Sequence, residues 1–213
     1  MKNKRKLYLK QLNSLHEIYL GIKILHCCVI LPEEHFYKDN YLHFAHQETQ
    51  MLLLGRVWIL LADEYRGKDR KSHNSISLKV LINEIIDDKS ISAKRYRGKG
   101  CVSKKDLSGV LKEIKILSQV ETDEGYPKYD YFRNKINAHI DLNDDGSRKK
   151  INQLRIFQRD LTALFTLSEK AFDNIFLYLD CASSDHMEHH INTLKDKILN
   201  SFEKAGLIEK NNR

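Results

Sequence analysis

Apolar residues recur mostly at three- and four-residue steps along this chain, the spacing of one face of an α-helix. Leu12, Leu15, Ile18 or Tyr19, Ile22 and Leu25 form the first stripe. It predicts a long helix that Pro32 ends, since proline lacks an N–H and its ring clashes with the preceding turn. Asp39 or Asn40 can cap a second helix. The later half of that helix, Met51 to Leu54 and Val57 to Leu61, is apolar nearly all round. Such a helix belongs in the centre of a bundle. A shorter helix is expected over 75–86, and another over 106–120 through Leu107, Val110 or Leu111, Ile114 and Leu117. Residues 87–105 read as a polar, basic connection. Pro127 suits the first turn of a helix running to about His139, and Asp144-Asp145-Gly146 marks a turn. From 151 to 179 the positions Leu154, Phe157, Leu161, Leu164 or Phe165, Phe172, Ile175 and Leu179 follow one stripe. A last amphipathic helix covers about 189–204, through Leu194, Ile198 and Phe202.

Composition agrees with an all-α fold. Of 213 residues, 41% are hydrophobic and 31% charged, enough apolar side chain for a core and too much for intrinsic disorder. Two prolines and nine glycines are too few for the turns of a β-sandwich or barrel. Neither G-x-G-x-x-G nor G-x-x-x-x-G-K-[ST] occurs, which sets aside Rossmann and P-loop chemistry. No internal repeat, low-complexity segment or linker divides the chain. The expectation is one helical domain over 1–213, with a core over about 10–180 and a C-terminal helix over about 189–205.

Charge and sulfur then suggest a setting. The net charge is +7, which favours polyanionic partners. Cys27, Cys28, Cys101 and Cys181 form no C-x-x-C and read as reduced, intracellular thiols. The basic start Met1 to Lys6 lacks the apolar stretch of a signal peptide. The greasiest run, 51–62, is interrupted by Arg56 and falls short of the about 20 residues that cross a bilayer. A soluble cytoplasmic protein with no membrane partner is expected.

The most informative stretch is Tyr129-Asp-Tyr-Phe-Arg133-Asn134-Lys-Ile-Asn-Ala-His139-Ile-Asp141. On a helix, Tyr129, Phe132, Ile136 and Ile140 make one apolar stripe. Arg133 lies on one edge and His139 on the other, roughly 120° apart and about 9 Å along the axis. A cleft over this face holds a fixed cation and a titratable imidazole, bordered by the amide of Asn134. An arginine fork matches phosphate oxygens and keeps its charge. Histidine titrates near neutral pH and can take or give a proton. The bland alternative is an inert arginine and histidine bordering a core helix.

Arg133-Asn134-Lys-Ile-Asn-Ala-His139 resembles the R-x(4–6)-H signature of the HEPN superfamily, with a polar residue directly after the arginine. Ala138-His139-Ile140-Asp141 is similar to the AbiU-type abortive-infection branch. The long apolar helix, the Ser75-Ile76-Ser77-Leu78 stretch and the late motif helix fit the same architecture over roughly 10–180. The resemblance implies a helical bundle with long antiparallel helices that forms a homodimer through the motif helix. It implies a metal-independent endoribonuclease of phage defence or a toxin–antitoxin system, with RNA as substrate and an antitoxin protein as a further partner. Arg133 and His139 are then the catalytic pair and Asn134 the polar helper. Asp141 stands where one branch carries a tyrosine used in neutralisation by nucleotide transfer, so that form of regulation is not implied. Some members have lost catalysis, and the rival expectation is a silent helical module binding a protein, nucleotide or RNA.

Three further features bear on this. Lys89, Lys94, Arg95, Arg97, Lys99, Lys104 and Lys105 form a basic run with no acid from 89 to 105. Tyr96 sits between two arginines, and Gly98 and Gly100 loosen the backbone. Cations of this kind track phosphates while a ring stacks on a base, so Lys94, Arg95, Tyr96, Arg97 and Lys99 are candidate RNA contacts; the alternative is a solvated loop. The N-terminal cluster Lys2, Lys4, Arg5, Lys6 and Lys10 reads as a frayed basic terminus. Cys181, His186, His189 and His190 match no established zinc spacing, and His26-Cys27-Cys28 could join them only through a distant contact. No cofactor or metal is expected, and Asp87-Asp88 and Asp144-Asp145 read as solvated turns. With neither a carboxylate pair nor a metal set at the motif, the expected nucleophile is the substrate's own ribose 2′-OH.

Overall fold

The computed structural model describes residues 2–29, 35–62, 76–96, 99–100, 102–121, 125, 127–130, 158–180 and 186–210. Among them the fold is all-α apart from short two-stranded pairings. Six helices are described: α1 (Lys2–Val29), α2 (Asn40–Ala62), α3 (Leu78–Asp87), α4 (Lys104–Ser118), α5 (Gln158–Asp180) and α6 (His186–Lys204). Four short strands join them: β1 (His35–Tyr37), β2 (Arg95–Tyr96), β3 (Lys99–Gly100) and β4 (Ile208–Lys210).

The helices bury the stripes that the spacing marks. On α1, Tyr8, Leu12, Leu15, Tyr19 and Ile22 face inward. Of the alternatives at 18 and 19, Tyr19 is the core residue, whereas Ile18 is 57% and Leu25 46% exposed. The core face therefore leaves the predicted line after Ile22 and passes to Cys27. α2 holds the centre, as its all-round apolarity requires: Leu53, Leu54, Val57, Trp58, Leu60 and Leu61 are buried, and it packs on α1, α3 and α5. α5 is the second central rod, burying Leu161, Leu164, Phe172, Ile175, Tyr178 and Leu179 against α1, α2, α3 and α4. Leu154 and Phe157, at the start of its predicted stripe, lie outside the described residues.

The ends of these helices follow local chemistry. Asp39 Oδ1 accepts from the backbone N–H groups of Tyr41 and Leu42 at 2.7 and 3.1 Å, so the aspartate caps α2. α3 starts at Leu78 rather than 75, because Ser77 stays extended and its hydroxyl accepts from the Val80 N–H at 3.3 Å. α4 starts two residues earlier than the apolar spacing suggests. Ser103 accepts from the Asp106 N–H while the Asp106 carboxylate accepts from the Ser103 N–H at 2.8 Å, a reciprocal capping box. α6 is closed off beyond Lys204 by Gly206, whose φ is +69°. The Gly206 N–H donates to Glu203 O and the Leu207 N–H to Phe202 O, both at 3.0 Å, the pairing that a left-handed residue makes possible.

β1 and β4 pair antiparallel, Tyr37 opposite Ile208 and His35 opposite Lys210. This pairing ties the segment after α1 to the segment after α6, with Ile208 buried and His35 Nε2 at 3.0 Å from Glu203. Strands this short leave no alternation to read in the sequence.

Candidate functional site

Arg133, Asn134 and His139 lie outside the described residues, as do Phe132, Ile136 and Ile140. The structure describes the turn that leads to them. Residues 128–130 are helical, directly after Pro127 as proline's fixed φ allows. The Lys128 N–H donates to Val120 O at 2.8 Å, and Pro127 bridges Glu121, so the chain leaving α4 doubles back before entering this turn. Gly125 serves that reversal with a φ of +79°.

The turn is fastened to both central helices. Tyr129, 3% exposed, stacks on Trp58 of α2 with ring centroids 5.1 Å apart. Trp58 Nε1–H donates to Asp130 Oδ1 at 2.9 Å. On the other side, Asp160 accepts from Tyr129 Oη–H at 3.3 Å and from Lys128 Nζ at 2.8 Å. Asp160 stands in the first turn of α5, where the helix dipole favours a negative charge. Burial, and then the Asp160 charge, push the Tyr129 phenol above its ordinary range. It therefore stays a neutral donor at physiological pH. Tyr129 was expected on an apolar stripe; its hydroxyl, Asp160 and Trp58 were not foreseen. The available signal is the chain's single tryptophan on a helix otherwise apolar all round, because a buried indole N–H calls for an acceptor.

The basic connection carries a short antiparallel pairing. Arg95 pairs with Gly100 and Tyr96 with Lys99 in β2 and β3, so Gly100 lies in a ladder; Arg97 and Gly98 are outside the described residues. The Lys94 N–H donates to Tyr178 O at 2.9 Å, and its ammonium pairs with Asp180 at the end of α5. Tyr178 Oη–H donates to Ile91 O at 3.1 Å. Lys104 Nζ donates to Ile86 O and Asp88 O at 2.6 and 3.0 Å, closing the carbonyl end of α3. Nor is Asp88 a solvated turn carboxylate. It accepts from Ser90 and pairs with Lys4 at 3.1 Å. The hydrogen bonds from Ser90, then Lys4, hold it well below the usual carboxylate range.

The histidines divide similarly. His26 lies edge-on to Phe165 at 4.9 Å. Burial lowers its pKa to about 4, with Lys195, Lys23 and His46 adding to the effect. His16 packs on Phe172 and Phe176 at 5.0 and 5.5 Å and is also lowered by burial. Both are neutral packing groups near pH 7. Cys27 is a buried thiol, and Cys181 lies outside the described residues. Among the described residues no three His, Cys, Asp or Glu side chains gather as a metal would need, and no helix is long and apolar enough to cross a membrane. No protein-family model, curated protein or solved structure matches the chain.

Proposed function

We propose that the chain is a metal-independent endoribonuclease acting as a homodimer, in prokaryotic phage defence or a toxin–antitoxin system. The observation that carries the reading is the Arg133-Asn134-…-His139 constellation, an arginine and an imidazole six residues apart beside a polar amide. The all-α bundle is the setting that the HEPN resemblance implies. The fastening of residues 128–130 to α2 and α5 suits a segment that must hold its two reactive side chains in register. In this mechanism His139 removes the proton of the ribose 2′-OH, and the oxygen attacks the adjacent phosphorus. Arg133 stabilises the charge that grows on the phosphoryl oxygens, with Asn134 as a supporting donor. The bond to the 5′-oxygen breaks and that oxygen takes up a proton. The products are a 2′,3′-cyclic phosphate and a 5′-OH end. Intramolecular attack gains from proximity.

The test is cleavage of a labelled RNA with mass spectrometry of the ends. Wild type should cut in the presence of EDTA and leave 2′-deoxy substrate intact. Arg133→Ala and His139→Ala should each lose at least about 100-fold in rate, with melting little changed. A 5′-phosphate product, or activity abolished by chelation, overturns the mechanism. Light scattering should give about twice the 25.0 kDa chain mass; a monomer at micromolar concentration overturns the dimeric site.

A further inference from the structure

The two basic clusters of the sequence lie far apart along the chain, and the fold brings them together. Residues 2–10 and 87–106 hold twelve of the 36 Lys and Arg residues and three of the 29 Asp and Glu residues. The rest of the chain keeps 24 cations and 26 acids, so it is slightly acidic, and these two segments carry the whole positive excess. In the structure they are joined by direct contacts. Arg5 on α1 donates to Ser92 O and to Leu179 O, both at 2.6 Å. Lys4 pairs with Asp88 at 3.1 Å, and Tyr8 Oη–H reaches the same carboxylate at 3.4 Å. The first turns of α1 are therefore bolted to the start of the connection, at Asp88 and Ser92, and to the end of α5, rather than frayed.

Three of the acids at this end of the bundle are occupied by internal partners, and Asp87 stands exposed. Asp88 is held by Lys4 and Ser90, Asp106 by the capping box and Asp180 by Lys94. Lys104 faces backbone carbonyls. Lys6, Lys10, Lys89 and Lys105 stand exposed around this framework, on elements whose backbone is already ordered. We propose that the first turns of α1 and the described flanks of the connection, 87–94 and 102–106, form one composite surface that tracks the phosphates of single-stranded RNA. The proposal rests on the ribonuclease reading for its choice of polyanion. A flexible strand with one charge per nucleotide can follow cations set on a helix, a turn and a second helix. Ordering those cations beforehand lowers the entropy lost on binding.

Counterion release sets the expected effect. Each phosphate contact on a single strand contributes about 0.7 to the slope of log affinity against log salt, or about 5-fold in affinity at 0.1 M salt. The probe is a fluorescein-labelled 2′-O-methyl RNA 20-mer, which has no free 2′-OH and stays whole. The readout is anisotropy across a salt series with the full chain. Lys6→Ala/Lys10→Ala and Lys89→Ala/Lys105→Ala should each weaken binding about 25-fold and flatten the slope by about 1.4. Lys197→Ala/Lys204→Ala, an equal charge loss on exposed lysines of α6, should leave both unchanged, and circular dichroism melts of all three should match wild type. An N-terminal pair that behaves like the α6 pair overturns the composite surface, as does an equal loss in all three. Wild type that ignores the RNA and binds phosphatidylserine vesicles overturns the choice of partner. The expected binding pattern with no cleavage of unmodified RNA leaves the surface standing and removes the enzyme reading instead.

Discussion

Asp160 is the residue whose removal tests the anchoring of the candidate segment most directly. Its side chain is 10% exposed and that of Lys128 is 13% exposed, with Nζ and Oδ2 2.8 Å apart. Asp160→Ala leaves an ammonium and the Tyr129 hydroxyl facing a mostly dry site without their acceptor. Breaking a buried pair by removing one partner costs about 3–5 kcal/mol; the residual solvent contact here brings that to about 2–3 kcal/mol. Losing a carboxylate from the first turn of α5 adds about 0.3–1 kcal/mol. The total is about 3 kcal/mol, and in a chain of this size each kcal/mol moves the melting midpoint by about 2–4 °C. Calorimetry should therefore find a drop of about 6–12 °C for Asp160→Ala.

A companion variant separates the charge from the hydrogen bonds. Lys128→Met takes away the cation and leaves Asp160 bonded to Tyr129. The double variant Asp160→Ala/Lys128→Met should be more stable than Asp160→Ala alone, because no unpaired ammonium is left behind. A midpoint for Asp160→Ala within about 2 °C of wild type, or strictly additive losses, would refute the argument that this pair fastens residues 128–130 to α5.

Three further outcomes follow from the same contacts. His26 has a folded pKa of about 4 against an ordinary value near 6.5, so the unfolded chain binds the proton more readily between those values. Its contribution is present above pH 6.5 and fades as pH falls toward 4. Phe165 on α5, Lys23 on α1, His46 on α2 and Lys195 on α6 surround it. Wild type should thus lose up to about 3 kcal/mol over that window, and melts of His26→Gln should show a distinctly flatter pH dependence; parallel profiles would contradict this. Ser103→Ala removes half of the α4 capping box and should lower stability by about 1 kcal/mol, read in urea as a shifted midpoint at unchanged slope. The Ser168 hydroxyl is fully buried on α5 and has no hydrogen-bond partner among the described residues. Ser168→Ala should raise the melting midpoint by about 2–4 °C, since an unsatisfied buried hydroxyl costs about 1 kcal/mol or more; a lower midpoint would mean the hydroxyl is satisfied.

Helical spacing was legible in the sequence because burial on one face needs only local period. Leu12, Leu15, Ile22, Leu107 and Ile114 are all buried where the three- and four-residue steps put them. The same rule cannot tell an inward apolar residue from an outward one when both satisfy it, and this is why Ile18 and Tyr19 stand as alternatives and why Leu25 reads as core yet stands exposed. The α4 cap was readable and passed over: Ser103 followed three residues later by Asp106 is a capping pattern in its own right, but apolar spacing alone starts the helix later. The pairing of His35–Tyr37 with Ile208–Lys210 had no such signal, because three-residue strands carry no period and their partners lie at opposite ends of the chain. For the candidate site, the Arg133–His139 pair was legible as a motif and the contacts that anchor the turn before it were not. Arg133 and His139 announce themselves by type and spacing, whereas Trp58 and Asp160 matter through contacts spanning 72 and 32 positions of the chain.

Those distant polar contacts do something that the apolar stripes cannot. A helix such as α5 offers Leu161, Leu164, Phe165, Phe172, Ile175 and Leu179 to the core, and sliding it by one turn still sets apolar groups against apolar groups. The same slide takes Asp160 about 5 Å from Lys128 and Tyr129. It also parts Glu169 from its partners on α1, Tyr19 Oη–H at 2.8 Å and the Lys23 ammonium. Two ion-paired carboxylates thus specify the register of α5 against α1 and against the turn at 128–130, at positions nine residues apart on one helix. Trp58 and Asp130 fix the same turn against α2. The turn is held from both sides by bonds that only one register satisfies. Register selection therefore falls at the point where the chain enters the Arg133–His139 segment.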